Sequence, residues 1–594
     1  MKQEWILMIK QADFAGLSAK FGVPPLLIKL MINRGIGEEE METFLHGGMN
    51  GLHDASLMKD IDKACDMLAA IAEKHEQIAI VSDYDCDGIF SGMILYTGLE
   101  KMGAKPIIYT PDRITEGYGI NKRIIDSIYN SGINYIITCD NGIAAYDEVA
   151  YAKSLGIEVI ITDHHEIPYN ETEGNREYII PPADAVCNPK QPDCEYPYKG
   201  LCGGGVAYKL ITCLFEKLHI NDVVTRDILL QYAAIATVAD VMELTGENRI
   251  IVKEGLKRLS NDGDRTTCGL KAIKKVNDLM NKQIGTYHIG FVIGPCFNAA
   301  GRIETAKTSF DLLLAKDDES AMSLAYHLKD VNNERKEMTE RAAARGMELV
   351  DGEDYKDDKV IVLLLEDCHE SIAGIVAGRI KESLCKPVFV FTNTGEGLCK
   401  GSGRSIESYH MYDELVKCAD LFTRFGGHAM AAGITIPAEN LPELRRRLNE
   451  NTVLTEKDFV SKIYVDAEVL FRHMSEPVIK SLGLLEPCGN GNKKPLFAAS
   501  HVAIRRARII GKNKNILKME LVDRLGSVLD GICFNDAQDL LEMIESEYGK
   551  EQTSNMLNGR PNNVDIAITF YPDINEYNGK KSIQLIIQNY NVIK

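Results

Sequence analysis

The chain has 594 residues, 45% hydrophobic and 26% charged, with a formal net charge of −19, the balance of a soluble globular protein too long for one core, since cores stop growing at about 250–300 residues. No apolar run approaches the roughly 20 residues that cross a bilayer, and Glu4 and Asp13 precede any sustained apolar stretch, which reads as a cytoplasmic chain without secretory signal architecture. Fifteen cysteines without a C-x-x-C pair exclude a zinc ribbon and a disulfide framework, and Cys187, Cys194 and Cys202 read as unligated thiols.

In chain order, residues 1–60 are expected to form an N-terminal helical segment. From 77 to 161, short apolar strands at 78–82, 107–109, 135–138 and 159–162 alternate with amphipathic segments, the pattern of a parallel sheet with crossover helices. This α/β domain is expected over 61–316. Most of its strands end in polar residues, and the ligand site of such a sheet lies beyond the carboxyl ends of its strands. Residues 317–350, Pro-free and rich in Ala, Glu, Lys, Arg, Met and Leu, predict one long connecting helix. Strands at 359–366 and 387–392 flank a helical stretch at 372–384, and a further helix is read at 415–423. Together they make a second, smaller α/β domain over 351–455. Beyond 456, short alternating strands such as 502–510 and 565–570 predict a β-barrel.

The strongest local signal is Asp83-Tyr84-Asp85-Cys86-Asp87-Gly88. Three carboxylates at alternate positions after a strand repel one another unless cations neutralise them. An EF-hand loop starts the same way but needs a bidentate Glu at its twelfth position, where this chain has Ile94 and where the preceding element is a strand. Asp140, Asp163-His164-His165 and Asp240 add oxygen and imidazole ligands after later elements. Singly, each has a plain alternative as a helix cap or a structural histidine. Together, the mixed set suits manganese, or magnesium less ideally, and two such ions about 3.5–4 Å apart can drive in-line phosphoester hydrolysis.

These segments, with Asp140-Asn141-Gly142, follow in order the four motifs of the DHH phosphoesterases, which the chain resembles. It is similar to the RecJ-like branch, through Asp112-Arg113, Glu116-Gly117-Tyr118-Gly119, Asn298-Ala299-Ala300-Gly301-Arg302, Gly401-Ser402-Gly403-Arg404-Ser405, the run from His369 to Gly374, Gly426-Gly427-His428 and the run from Glu486 to Asn492. The resemblance implies a DHH domain, a DHHA1 domain and, over 456–594, an OB-fold. It implies two divalent cations, manganese preferred or magnesium, on Asp83, Asp85, Asp87, Asp140, His164, His165 and Asp240. It assigns Arg113, Arg302 and Arg404, with Asn298 and Ser402, to the DNA near its 5′ end, and Gly426, Gly427 and His428 to the nucleotide; guanidinium groups suit this because they bind phosphate bidentately.

The activity so implied is 5′-to-3′ exonuclease action on single-stranded DNA, releasing 5′-mononucleotides in DNA repair and recombination. The implied enzyme is a monomer with single-stranded-DNA-binding protein and a helicase as partners and no membrane. Departures from the family pattern are Cys86, Ser371 and Cys488, and Cys86 is an expected point of oxidation sensitivity. Net charge argues against a nucleic-acid binder, but Arg505, Arg506, Arg508, Lys512, Lys514 and Lys518 form a run without an acid and predict a local basic groove of the kind an OB-fold uses. Phe534, Phe570, Tyr571 and Tyr577 are available there for stacking or for the core. Two other readings stand: an oligoribonuclease or cyclic-dinucleotide phosphodiesterase of the DHH family, which lacks the barrel, and a non-catalytic DNA-binding scaffold, which has lost the ligands.

Overall fold

In a computed structural model the chain divides into two units, Leu52–Ser461 and a second made of Gln3–Gly51 with Lys462–Lys594. The structure describes all residues except 1–2, 114, 173–174, 262, 264, 396, 512–513, 535–536, 578 and 593–594. Lys512 and the Tyr577 side chain, both singled out above, lie outside the described residues.

The first unit begins with a five-stranded sheet in the order Lys105–Tyr109, Gln77–Ser82, Tyr135–Cys139, Glu158–Thr162, Ala185–Cys187, all parallel. Ile78 to Val81 and Ile136 to Cys139 are buried, as a strand covered on both faces must be, which is why these strands read as apolar runs. The chain steps outward from Gln77–Ser82 to Lys105–Tyr109, then returns to the other side at Tyr135–Cys139. The reversal puts a topological switch point between two strands whose carboxyl ends carry Asp83 and Asp140. The helix Cys86–Met102 starts there, with the Asp85 carboxylate accepting the Gly88 N–H at 3.1 Å, and Val223–Ala239 delivers Asp240 at its end.

The helix Asp318–Val350 opens on an Asp317 cap and leads to the second sheet, ordered Arg424–Gly427, Ala431–Pro437, Leu398–Arg404, Val388–Gly395, Ile361–Leu364. The last two strands are parallel and joined through Ala373–Leu384; the other pairings are antiparallel. The expected helix at 415–423 is corrected: Met411–Val416 is helical, Ala419–Leu421 is one 3-10 turn, and Arg424–Gly427 is already a strand. The sequence conceals Leu398–Arg404 as a strand because it carries Gly401 and Gly403. A Cβ at Gly403 would lie 2.4 Å from Met411 Sδ, so close packing requires the residue that strand propensity disfavours.

In the second unit, strands Phe497–Ile510, Ile516–Val522, Val528–Phe534, Lys580–Val592 and Asp565–Tyr577 pair in that order, and the last pairs back onto the first, closing a five-stranded barrel. Only Val528–Phe534 with Lys580–Val592 is parallel, and the helix Ala537–Leu557 precedes the final two strands. This is the OB topology. Leu27, Ile28, Leu30, Met31, Met41 and Leu45 share one core with Ile504, Leu517, Phe497 and Phe570 of the barrel. Arg34 adds a 3.3 Å ion pair to Asp466 and a 2.7 Å hydrogen bond to the Lys493 carbonyl. The expected segment 1–60 therefore does not stand apart: up to Gly51 it completes the barrel's core, because its short amphipathic helices cannot bury their apolar faces against each other alone. Among the described residues no single helix is long and apolar enough to cross a membrane.

Candidate metal centre and adjoining cleft

The seven residues marked in the sequence as ligands converge. Ligand atoms of Asp83, Asp85 and Asp140 lie within 4.8 Å of one another, as do those of Asp87, His164 and Asp240, and those of Asp140, His164 and His165. Asp140 links the sets: its Oδ1 is 3.1 Å from His164 Nε2, which is itself 3.7 Å from Asp87 Oδ2 and from Asp240 Oδ2. Asp163 is not among them. Its Oδ1 lies 2.8 Å from His165 Nδ1 and accepts the N–H groups of His164 and His165, while Oδ2 accepts the Ile143 N–H. The first residue of the triplet thus orients the other two, as outer carboxylates do at metal sites.

Backbone supplies the remaining rigidity. Asp87 accepts 2.7 Å bonds from the N–H groups of both Gly203 and Gly204 at the start of the helix Gly203–Lys217, where orphan donors and the helix dipole favour an anion. A Cβ on Gly204 would sit 2.5 Å from Ala236 Cβ and 3.2 Å from Asp87 Oδ1, so only glycine lets the helix approach. Tyr118 donates to the Asp140 carbonyl at 2.5 Å and its oxygen is 3.2 Å from His165 Nδ1. Sequence reasoning quoted Tyr118 and the glycines' neighbour Cys202 without giving the former, or Gly203 and Gly204, any task; three consecutive glycines at a helix start were the available signal.

The electrostatics fit a divalent pair. Burial, then the neighbouring carboxylates, pushes Asp83, Asp85 and Asp140 above the ordinary range, and Asp240 up to about 8. Asp83 Oδ1 is buried without a hydrogen-bond partner, and a buried carboxylate oxygen normally has one. Burial would depress His165, but its bond to Asp163 raises it to about 9. A mixed oxygen and imidazole donor set of this kind suits manganese, with magnesium the harder alternative. Cys86, expected to be oxidation-sensitive, is only 1% exposed, so reagents have no direct access to its sulfur.

Residues 77–237 match the model of the DHH family, N-terminal domain, residues 357–453 that of the DHHA1 domain, and residues 465–589 that of the RecJ OB domain. The single-stranded-DNA-specific exonuclease RecJ of Bacillus subtilis is 34% identical over 99% of this chain and 71% of its own length. The chain belongs to the RecJ family. RecJ of Thermus thermophilus, solved with Mn2+, has the same fold, with a TM-score of 0.79 at 24% identity over 100% of this chain and 80% of that one. A second exonuclease RecJ, solved with manganese bound, is 30% identical with a TM-score of 0.57 over 68% of this chain and 96% of its own.

In this RecJ-family chain a cleft of about 450 Å³ is lined by Arg113, Ser371, Lys400, Ser402, Arg424 and Gly426, among others. Arg302 donates to the Ser371 carbonyl at 2.8 Å, and Arg404 donates to its neighbour Gly403 and lies against Gly374. Burial and then the charge of Arg113 lower Arg302, to about 10, and burial with Arg113 also lowers Arg404. Crowded guanidinium groups of this kind call for an anion. Lys400 and Arg424 were not anticipated; Lys400 pairs with Glu370 at 2.9 Å. Gly427 and His428 are exposed, and His428 Nδ1 accepts the Met430 N–H at 3.2 Å, leaving Nε2–H as its outward donor. Asn298, grouped in the sequence with DNA contacts, accepts the Cys86 N–H at 2.8 Å and so holds the acidic loop.

The C-terminal basic run is less free than its composition suggests. A bulge between Ile504 and Arg506 turns both Arg505 and Arg506 outward, but Glu520 on the next strand pairs with them at 2.7 and 3.2 Å, and Asp530 pairs with Lys518 at 2.8 Å. Arg508 is exposed opposite Lys518. Phe570 belongs to the core against Phe497 and Phe471, whereas Phe534 is exposed and Tyr571 carries Lys494 4.7 Å from its ring centre.

Proposed function

We propose that this chain is a metal-dependent exonuclease that hydrolyses single-stranded DNA from its 5′ end and releases 5′-mononucleotides in DNA repair and recombination. The observation that carries the reading is the three ligand sets linked through Asp140 and His164 at the switch point, with a guanidinium-lined cleft in the same unit. Membership of the RecJ family supplies the substrate and the class of reaction, ester hydrolysis. Asp83, Asp85 and Asp140 on one side, and Asp87, Asp140, His164 and Asp240 on the other, would hold two divalent cations, manganese preferred or magnesium. Bound there, the cations supply a nucleophilic water at neutral pH and charge stabilisation for in-line displacement.

The protein's own groups then have distinct tasks. Arg113, Arg302 and Arg404, with Ser402, grip the terminal phosphate, and Gly426 lets backbone approach the nucleotide while His428 donates to a phosphate oxygen from beside it. His165, kept in orientation by Asp163, offers its remaining nitrogen to the cluster or to a substrate oxygen. Asn298 keeps the acidic loop in register. The OB barrel, through Arg505, Arg506 and Arg508, holds downstream DNA, which favours long strands over the dinucleotide substrates of barrel-free DHH enzymes. In this reading it works in the cytoplasm as a monomer, with single-stranded-DNA-binding protein and a helicase as partners.

Digestion of a single strand labelled at either end, with manganese, magnesium or chelator, tests this. The 5′ label should leave first, as a mononucleotide, and chelation should stop it; release starting at the 3′ label, or indifferent to chelator, refutes the reading.

A further inference from the structure

Two large aromatic side chains of the first unit lie open to solvent: Tyr287 is 65% exposed and Phe291 68%. Their rings stack on each other with centroids 5.2 Å apart and planes inclined by 26°. Exposure of two such rings forgoes the burial that normally stabilises a fold, and large apolar surface left in water commonly marks a binding site.

The backbone beneath them is unusual. Ile289–Ile293 is a π-helical turn between Thr286–His288 and the helix Gly294–Ile303, pinned by the buried Ile289 and Ile293. Such turns are rare and concentrate at functional sites. Here the turn leads directly into the metal centre: a Cβ on Gly294 would lie 3.5 Å from Ala239 Cβ and 3.8 Å from Cys86 Sγ, the chain neighbours of Asp240 and of Asp85 and Asp87. One turn further on Asn298 holds the Cys86 N–H, and one turn beyond that Arg302 reaches the Ser371 carbonyl beside the cleft. The exposed rings and the residues that touch the acidic loop therefore ride on one continuous helical segment.

We infer that Tyr287 and Phe291 form a platform on which bases of the single-stranded substrate stack beside the metal centre. The inference rests on the nuclease reading above and names how that site takes hold of bases. Every base has a π-face, so two rings grip a strand without regard to sequence, as an exonuclease that must pass over any sequence requires. In a duplex those faces are already stacked on their neighbours, so the platform also favours unpaired strands.

The test compares an oligothymidylate with a strand of equal length carrying abasic residues, which keeps the phosphates and removes the π-faces. Binding is measured in chelator for the wild type, Tyr287→Ala, Phe291→Ala, the double alanine variant, and the conservative Tyr287→Phe and Phe291→Trp. The wild type should bind the intact strand about tenfold or more tightly than the abasic one. The alanine variants should lose that preference and the conservative variants should keep it. Both side chains are exposed, so thermal melting should report intact folding. A double alanine variant that keeps the full preference overturns the inference and gives the rings to a protein partner instead. Manganese-dependent hydrolysis of the intact strand by the wild type is scored separately: its absence defeats the nuclease reading, whereas its presence with an unchanged preference defeats only the platform.

Discussion

Tyr118 illustrates how a residue without ligand chemistry governs the site. Its hydroxyl holds the Asp140 carbonyl and meets His165, so Tyr118→Phe should lower the rate of strand hydrolysis about tenfold to a hundredfold, in the range seen when outer partners of metal ligands are removed; a rate within twofold of wild type would show the contact to be idle. Asp240 gives a pH dependence with a defined sign. Burial, then Asp87 and Asp85, holds it at about 8, whereas an unfolded aspartate titrates near 3.9. In chelator the folded protein keeps a proton there that the unfolded chain releases. The group's contribution is therefore full below about pH 4 and is lost as pH rises toward 8. Divalent cations displace that proton, so thermal stabilisation by manganese should be larger at pH 8 than at pH 5.5, and an equal or smaller shift at pH 8 would count against cation binding at Asp240. The ligands were legible in the sequence because cation chemistry demands carboxylate and imidazole. Tyr118 had no assigned task, and Asp163 was grouped with the ligands, because the two act through a carbonyl and through orientation, for which many residue types could serve.

At the scale of elements, the parallel strands declared themselves as apolar runs with polar ends, and the 33-residue helix by its propensity. What stayed hidden depends on close approach. The helix Gly203–Lys217 reaches Asp87 only because Gly203 and Gly204 carry no side chain; Gly204→Ala would place a methyl 2.5 Å from Ala236 Cβ. That change should destabilise the first unit by roughly 1–3 kcal/mol, read from urea unfolding, and should weaken manganese binding as the helix start withdraws from Asp87. Stability and metal affinity both equal to wild type would mean that the helix can shift freely. The strands Leu398–Arg404 and Arg424–Gly427 were missed for the same reason, since glycines that permit contact also erase strand propensity. The basic run of the barrel has counter-charges, Glu520 and Asp530, on neighbouring strands, which a linear reading separates from it.

For the whole molecule, domain boundaries read along the chain do not coincide with folding units. Residues 3–51 and 462–594 share a core, so removing the first 51 residues should uncover the barrel's apolar side. The truncated protein should lose the unfolding step that belongs to the barrel and gain binding of a hydrophobic dye, while the unit of Leu52–Ser461 melts as before. A barrel that melts unchanged without those residues would disprove the shared core. The net charge of −19 likewise describes no single surface: acids gather at the metal centre, while arginines gather in the cleft.

The shared core also sets an order of events during synthesis. The helices that supply Leu27 to Leu45 leave the ribosome before residues 52–461, yet the strands that cover them emerge only after those residues have been made. At roughly 5–20 residues per second that interval lasts tens of seconds, longer than helix or hairpin formation by many orders of magnitude. Nascent chains must carry an uncovered apolar surface for all of that time, so the helices bearing Leu27 to Leu45 are a natural point of chaperone engagement and become native only once the barrel strands have been made.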